Sequence, residues 1–136
     1  MSQELEDFIR SAYDRFNAGE RMPSADDWHT DGVYVNSSED PDPGTHRGLD
    51  AIATQIQTWI ETYPDLRVDP IEILINGDRA LVWARWSGHG TGSGIPIEME
   101  MAQVITFEDG KIRRIEEYMD RAKALDAVAL AADRRG

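Results

Sequence analysis

The chain has 136 residues, a length at which one hydrophobic core and a single domain spanning 1–136 are expected. Its 14 basic and 26 acidic side chains give a net charge of −12, a field that repels phosphate backbones and anionic lipids and so argues against nucleic-acid and membrane partners. The absence of cysteine removes disulfides, thiolate nucleophiles and thiolate metal sites, and the acidic opening MSQELEDFIR with no long apolar run makes a cytoplasmic protein the expectation.

Leu5, Phe8, Ile9, Ala12, Tyr13 and Phe16 recur at three- and four-residue intervals, which predicts an amphipathic helix over 3–19 closed by Gly19. Ser24 caps a short turn before Trp28, and DGVYVNS reads as a strand. SEDPDPGTHRG, residues 38–48, has the prolines, glycines and acids of a long loop, which suits a lid or a dimer rim and equally a disordered surface segment. Leu49, Ile52, Ile56, Trp59 and Ile60 restore helical spacing over 49–63, ending before Pro64.

Four β-rich runs follow: LRVDPIEILI, RALVWARWSG, IPIEMEMAQVITF and KIRRIEEYM. Asn76-Gly77-Asp78 and Glu108-Asp109-Gly110 join them as tight antiparallel hairpins. The glycine-rich GHGTGSGIP runs from strand to strand, so it offers no helix N-terminus to a phosphate and reads as a flexible hairpin tip. A last helix is expected from Asp120 to about Ala132. Helices first, an antiparallel meander next and a closing helix describe an α+β domain, with helices collected on one face of a curved sheet. Such a sheet leaves a cone in which a small hydrophobic molecule can sit.

The amphipathic first helix, Trp28 followed by DGVYV, the loop ending in HRGLDAI and the hairpin FEDGKIRRIEEYMDRAKAL are together similar to the nuclear-transport-factor-two-like superfamily, in its SnoaL-like branch. The resemblance covers nearly the whole chain. It implies a cone-shaped α+β barrel, a curved antiparallel sheet around N-terminal helices with a short C-terminal helix, a deep pocket and a homodimer packed through the sheet. The family includes polyketide cyclases, ketosteroid isomerases, limonene epoxide hydrolases and dehydratases, so the fold leaves the reaction open. Tyr118-Met119-Asp120 resembles the Tyr-x-Asp that ends the last strand of the epoxide hydrolase, which makes Asp120 the implied acid or base. Arg85-Trp86-Ser87 resembles that enzyme's Arg-x-Asp, with Ser87 in place of the second acid, which argues against the same hydrolysis.

Strand alternation puts Asp120, Tyr118, Glu116, Arg114 and Ile112 on one face, and Leu81, Trp83, Arg85, Ser87 and His89 on one face of an earlier strand. If both sets look into the cone, Asp120, Arg85 and Tyr118 form a catalytic group. Trp28, Tyr34, Trp83, Ser87, His89 and Glu116 then contact the ligand. Asp120 would serve as general acid or base on a hydrophobic carbonyl compound, in isomerisation, cyclisation or dehydration without a cofactor. Against this stand a non-catalytic binder of a small hydrophobic ligand, and a dimeric accessory domain whose cavity is filled by its own side chains. Asp120 also suits a helix N-cap, which needs no pocket. Trp28, Trp59, Trp83 and Trp86 suit core or interface as well as ligand stacking. His29, His46 and His89 are too dispersed to suggest a metal site.

Overall fold

The computed structural model describes residues 2–38 and 44–135, with side chains described over 3–38 and 44–129. The middle of the expected 38–48 lid or rim lies outside the described residues. The elements are α1 (Ser2–Asn17), β1 (Trp28–Val35), β2 (Thr45–Arg47), α2 (Leu49–Thr62), β3 (Arg67–Asn76), β4 (Arg79–His89), β5 (Pro96–Glu108), β6 (Lys111–Tyr118) and α3 (Arg121–Arg135).

The ends of α1 and the hairpins follow from local chemistry. Gly19 takes φ 112°, and its N–H and that of Glu20 bond back to the carbonyls of Phe16 and Arg15, the paired bonds of a left-handed helix terminus. Asp109 and Gly110 both have positive φ, as a two-residue turn between twisted strands requires. Asn17 reaches from the end of α1 to the exposed edge of β3. There its side chain donates to the Val68 carbonyl at 3.0 Å and accepts from the Val68 N–H at 2.9 Å, satisfying backbone groups that an edge strand leaves unpaired.

The six strands run in the order β2-β1-β6-β5-β4-β3 in one unclosed sheet. The expectation of a wholly antiparallel sheet is corrected at one place: β1 pairs with β6 in parallel. That pairing joins the first and last strands of the chain, and no local turn signals it.

Helices cover both faces of the sheet. Ile9 and Tyr13 of α1 and Ile52 and Ile56 of α2 meet Ala80, Val82, Ala84 and Trp86 on the inner face. Ala124 and Val128 of α3 meet Leu81, Ala102 and Val104 on the outer face. The expectation that all helices gather on one face is therefore also corrected, and the reason lies in β4. Around Leu81 and Val82 this strand is apolar and buried on both faces, so the second face needs a cover there, which α3 supplies.

A bulge in the last hairpin fixes what points inward. Thr106 lies opposite Arg114 but Phe107 opposite Ile112, which leaves Arg113 as the extra residue. Ile112 and Ile115 thus both join the inner core, and strict alternation fails across that step.

Candidate functional site: an apolar cavity ending in a buried carboxylate

Between α1, α2 and the inner face of the sheet lies a cavity of about 140 Å³, with mainly apolar walls. Its volume is close to that of an engineered apolar cavity known to admit a benzene molecule. Arg21, Met22, Pro23 and Ser24 line one part of it. Arg21 is held there by the carbonyls of Phe16, at 3.3 Å, and Pro64, at 2.9 Å, with its guanidinium over the Phe16 ring. Eight aromatic side chains line the cavity, three of them in edge-to-face succession. Tyr34 meets Trp59 edge to face at 5.5 Å between ring centroids, and Trp59 meets Trp86 in the same manner at 5.4 Å.

Polar groups in the wall form a directed row. The Tyr13 hydroxyl donates to Oε1 of Gln103, Nε2 of Gln103 donates to the Tyr34 hydroxyl at 2.7 Å, and Tyr34 donates to Oε2 of Glu117 at 2.5 Å. From the other side, the Ser37 N–H at 3.2 Å and the Asn36 amide at 3.4 Å reach Oε1 of Glu117. His46 Nε2 lies 2.9 Å from Oδ1 of Asn36, and donates to it when Asn36 is oriented toward Glu117. Every donor in the row is aimed at Glu117, which is only 4% exposed.

Register explains the assembly. Gln103 and Glu117 are direct partners across β5 and β6, and Tyr34 is the neighbour of Ile115 across β1 and β6. All three side chains therefore lie on the inner face. Burial pushes the Tyr34 phenol well above its ordinary pKa, and the Glu117 charge and hydrogen bond push it further. Burial likewise raises Tyr13. Both phenols thus keep their protons across the ordinary pH range.

The residues singled out from the sequence divide between the faces. Trp28 and Tyr34 line the cavity. The expected grouping of Asp120, Arg85 and Tyr118 inside the cone is not found. Asp120 is exposed and caps α3, accepting from the N–H groups of Ala122 at 2.8 Å and Lys123 at 3.4 Å. Arg85 points outward to Glu98 at 3.4 Å and Glu100 at 3.8 Å, and the indole of Trp83 donates to Glu100 at 2.8 Å. Tyr118 donates to Glu116 at 3.3 Å, and Glu116 also pairs with Arg114 at 3.1 Å. Burial and the Glu116 charge raise the Tyr118 phenol.

Ser87 shares the outer face of β4 with Arg85, opposite Glu98. His89, at the exposed end of that strand, is held by Asp65, with Nδ1 at 2.6 Å and the backbone N–H at 2.8 Å from its carboxylate oxygens. The hydrogen bond from the imidazole holds the Asp65 carboxyl below its usual range. Asp120, Tyr118 and Glu116 do share an outer groove of about 220 Å³ with Lys123 and the segment from Val35 to Ser38. Glu117 borders this groove too, so it stands between the groove and the Tyr34 hydroxyl.

Because Asp120 serves as a cap, Asp120→Ala is expected to lower unfolding free energy by about 0.5–2 kcal/mol, and Asp120→Asn to be nearly silent in denaturant titrations, since asparagine caps comparably.

Glu117, Gln103, Tyr13, Asn36 and His46 escaped the reading of the sequence. The bulge at Arg113 breaks the strict alternation that groups Asp120 and Tyr118 with Ile112. One signal was available: Arg85 and Glu100, like Ser87 and Glu98, are cross-strand neighbours, and a face carrying paired opposite charges is a wet one. Among the described residues, His29, Glu108 and Asp109 have potential ligand atoms within 4.8 Å of one another. His29 Nε2 already lies 2.8 Å from the Glu108 carbonyl, and the two acids are exposed.

Comparison with known proteins agrees with this architecture. The family model described as SnoaL-like domain matches residues 9–115. No curated protein matches the sequence. Among solved structures, a candidate SnoaL-like polyketide cyclase from Jannaschia sp. CCS1 superposes with a TM-score of 0.74 at 19% identity, covering 93% of this chain and 92% of that one. A protein of ketosteroid isomerase-like fold from Catenulispora acidiphila DSM 44928, in complex with trimethylamine, gives 0.72 at 18% identity, covering 93% and 95%. TerC, co-crystallised with polyporic acid, gives 0.70 at 19%, covering 93% and 98%. At these identities the likeness is one of fold.

Proposed function

This chain belongs to the SnoaL-like domain family, and from that premise we propose that it binds a small, largely apolar carbonyl compound in the inner cavity and moves a proton to or from it, with Glu117 as the proton store. The observation that carries this reading is the 2.5 Å hydrogen bond from Tyr34, a residue of the cavity wall, to a carboxylate that is 4% exposed.

Glu117 is separated from the cavity by the Tyr34 hydroxyl, so the transfer is a relay. As the Tyr34 oxygen takes a proton from the carbon next to the ligand's carbonyl, the phenol passes its own proton to Oε2 of Glu117. The electron pair of the broken C–H bond moves to the carbonyl oxygen as an enolate. The reverse sequence returns a proton to carbon. Tyr34 suits this conducting role because its surroundings oppose a lasting phenolate. Gln103, donating to the same phenol oxygen, orients it. Isomerisation, cyclisation and dehydration all begin with such a step. Two structural neighbours were solved with small organic molecules, polyporic acid in one and trimethylamine in the other, which supports a fold suited to ligands of this size.

The test uses cyclohexanone in D₂O. The protein is expected to catalyse saturable deuterium incorporation at the carbons flanking the carbonyl, followed by proton NMR. Incorporation at the buffer rate, unchanged by protein concentration, would refute proton transfer. Saturable binding without exchange would favour the non-catalytic binder.

A further inference from the structure

Among the described residues the cavity wall holds two charged side chains, Asp27 and Arg21. Asp27 is neutralised by Arg15, whose Nη1 lies 2.9 Å away. Arg21 has no acidic partner among the described residues, in a chain where acids outnumber bases 26 to 14 and where Arg10, Arg15, Arg67 and Arg113 all pair with carboxylates. Its guanidinium is nonetheless fixed. Nε donates to the Phe16 carbonyl at 3.3 Å and Nη1 to the Pro64 carbonyl at 2.9 Å, and Cζ stands 5.4 Å from the centre of the Phe16 ring, itself part of the wall. Two of the five N–H bonds of the guanidinium are used in this way.

The remaining N–H bonds can be reached. Nη2 has no hydrogen-bond partner among the described residues, yet it is not one of the buried atoms left without a partner, so it keeps open surface. The segment from Arg21 to Ser24, which lines this end of the cavity, opens to solvent: Met22 is 46% exposed and Ser24 is exposed too. We propose that Arg21 is a specificity-determining residue at the mouth of the cavity, and that the carbonyl compound it selects is a keto acid, with its apolar body inside and its carboxylate on the Arg21 guanidinium. This rests on the reading that the cavity binds a small carbonyl compound, and adds the charged group which that compound carries.

The position at the mouth decides the chemistry. A carboxylate drawn into the apolar interior would lose its hydration for too little return. One at the rim keeps part of that hydration and gains a charge-assisted contact with a guanidinium edge, which matches its two coplanar oxygens. The net charge of −12 opposes any anion at long range, but charges beyond about 8 Å are largely screened at physiological salt, and the acid in the wall is already paired with Arg15. A phosphate suits the site less, since it brings a larger charge and the wall offers no second cation among the described residues. Arg21 also has a structural part, because the Phe16 carbonyl belongs to the last turn of α1, where a cation complements the helix dipole. That part is served by Nε and leaves Nη2 for the ligand.

Calorimetric titration of the full chain with 4-oxocyclohexanecarboxylate and with its methyl ester, at neutral pH and low salt, tests this, because the two share the ring and the ketone and differ in charge. The acid is expected to bind about tenfold more tightly than the ester, the size of one charge-assisted hydrogen bond at a partly exposed site, and to lose that advantage as salt is raised. Arg21→Gln is expected to abolish the preference while changing the affinity of the ester less than about twofold, whereas a purely structural role would weaken both probes equally. Equal binding of acid and ester by the parent chain, or a preference that survives Arg21→Gln, overturns the role of Arg21 and leaves the cavity reading standing. Absence of saturable binding by the acid, the ester and cyclohexanone alike overturns both. Should Arg21→Gln fail to fold, the Arg21 Nε–H resonance of the parent chain, assigned through its backbone in ¹H–¹⁵N spectra, decides: it is expected to shift with the acid and stay in place with the ester, and a resonance unmoved by bound acid overturns the proposal.

Discussion

Glu117→Gln is expected to slow deuterium incorporation into bound cyclohexanone by about 10²–10⁴-fold, the usual loss when a positioned acid or base is removed. The ketone should still bind, because the wall it touches is left intact. Glutamine keeps the length and volume of the side chain but cannot act as an acceptor at both of its terminal atoms. Tyr34 donates to one oxygen of Glu117, and the Ser37 N–H and Asn36 amide approach the other. In either orientation the new amide N–H₂ faces a donor, which is expected to lower stability by about 1–3 kcal/mol. The variant should therefore be folded, somewhat less stable and almost inactive. Equal exchange rates in the variant and the parent would remove Glu117 from the chemistry.

Leu81→Ala is expected to cost about 2–5 kcal/mol in urea unfolding, the range for a leucine truncated in a core that cannot collapse onto the space. Leu81 is 0% exposed and packed by Ala102, Val104, Ala124 and Val128. Those neighbours are small or set on strands, so they cannot move in to fill the gap. The prediction separates two architectures. A Leu81 lining an open hollow would lose little on truncation, whereas one pressed beneath α3 loses both its own burial and the seat of that helix.

Local patterning was enough for the elements. The three-and-four spacing from Leu5 to Phe16 and from Leu49 to Ile60 corresponds to α1 and α2, and both tight turns sit where glycine placed them. What was hidden lay in relations between distant segments. Thr45–Arg47, three polar residues, has no period of its own and becomes a strand only by pairing with β1. The parallel contact of β1 with β6 and the cover of α3 are equally non-local. The site suffered most, because one extra residue at Arg113 reverses the facing of every later side chain. Strict alternation groups Tyr118 and Asp120 with the inward Ile112, and the resemblance to a Tyr-x-Asp strand end points to the same pair, whereas past the bulge it is Glu117 that shares the inner face with Ile115. On β4 both faces are apolar near Leu81 and Val82, so hydrophobicity could not choose between them. The charges at Arg85, Glu98 and Glu100 could.

The account depends on the ligand meeting the inner face of the sheet, where Tyr34 leads to Glu117, in preference to the outer groove that holds Asp120 and Tyr118. Intermolecular nuclear Overhauser effects to bound cyclohexanone read this directly. The expected contacts are to ring protons of Tyr34, Trp59 and Trp86. Contacts confined to Tyr118, Met119 and Lys123 would place the ligand in the outer groove and contradict the account.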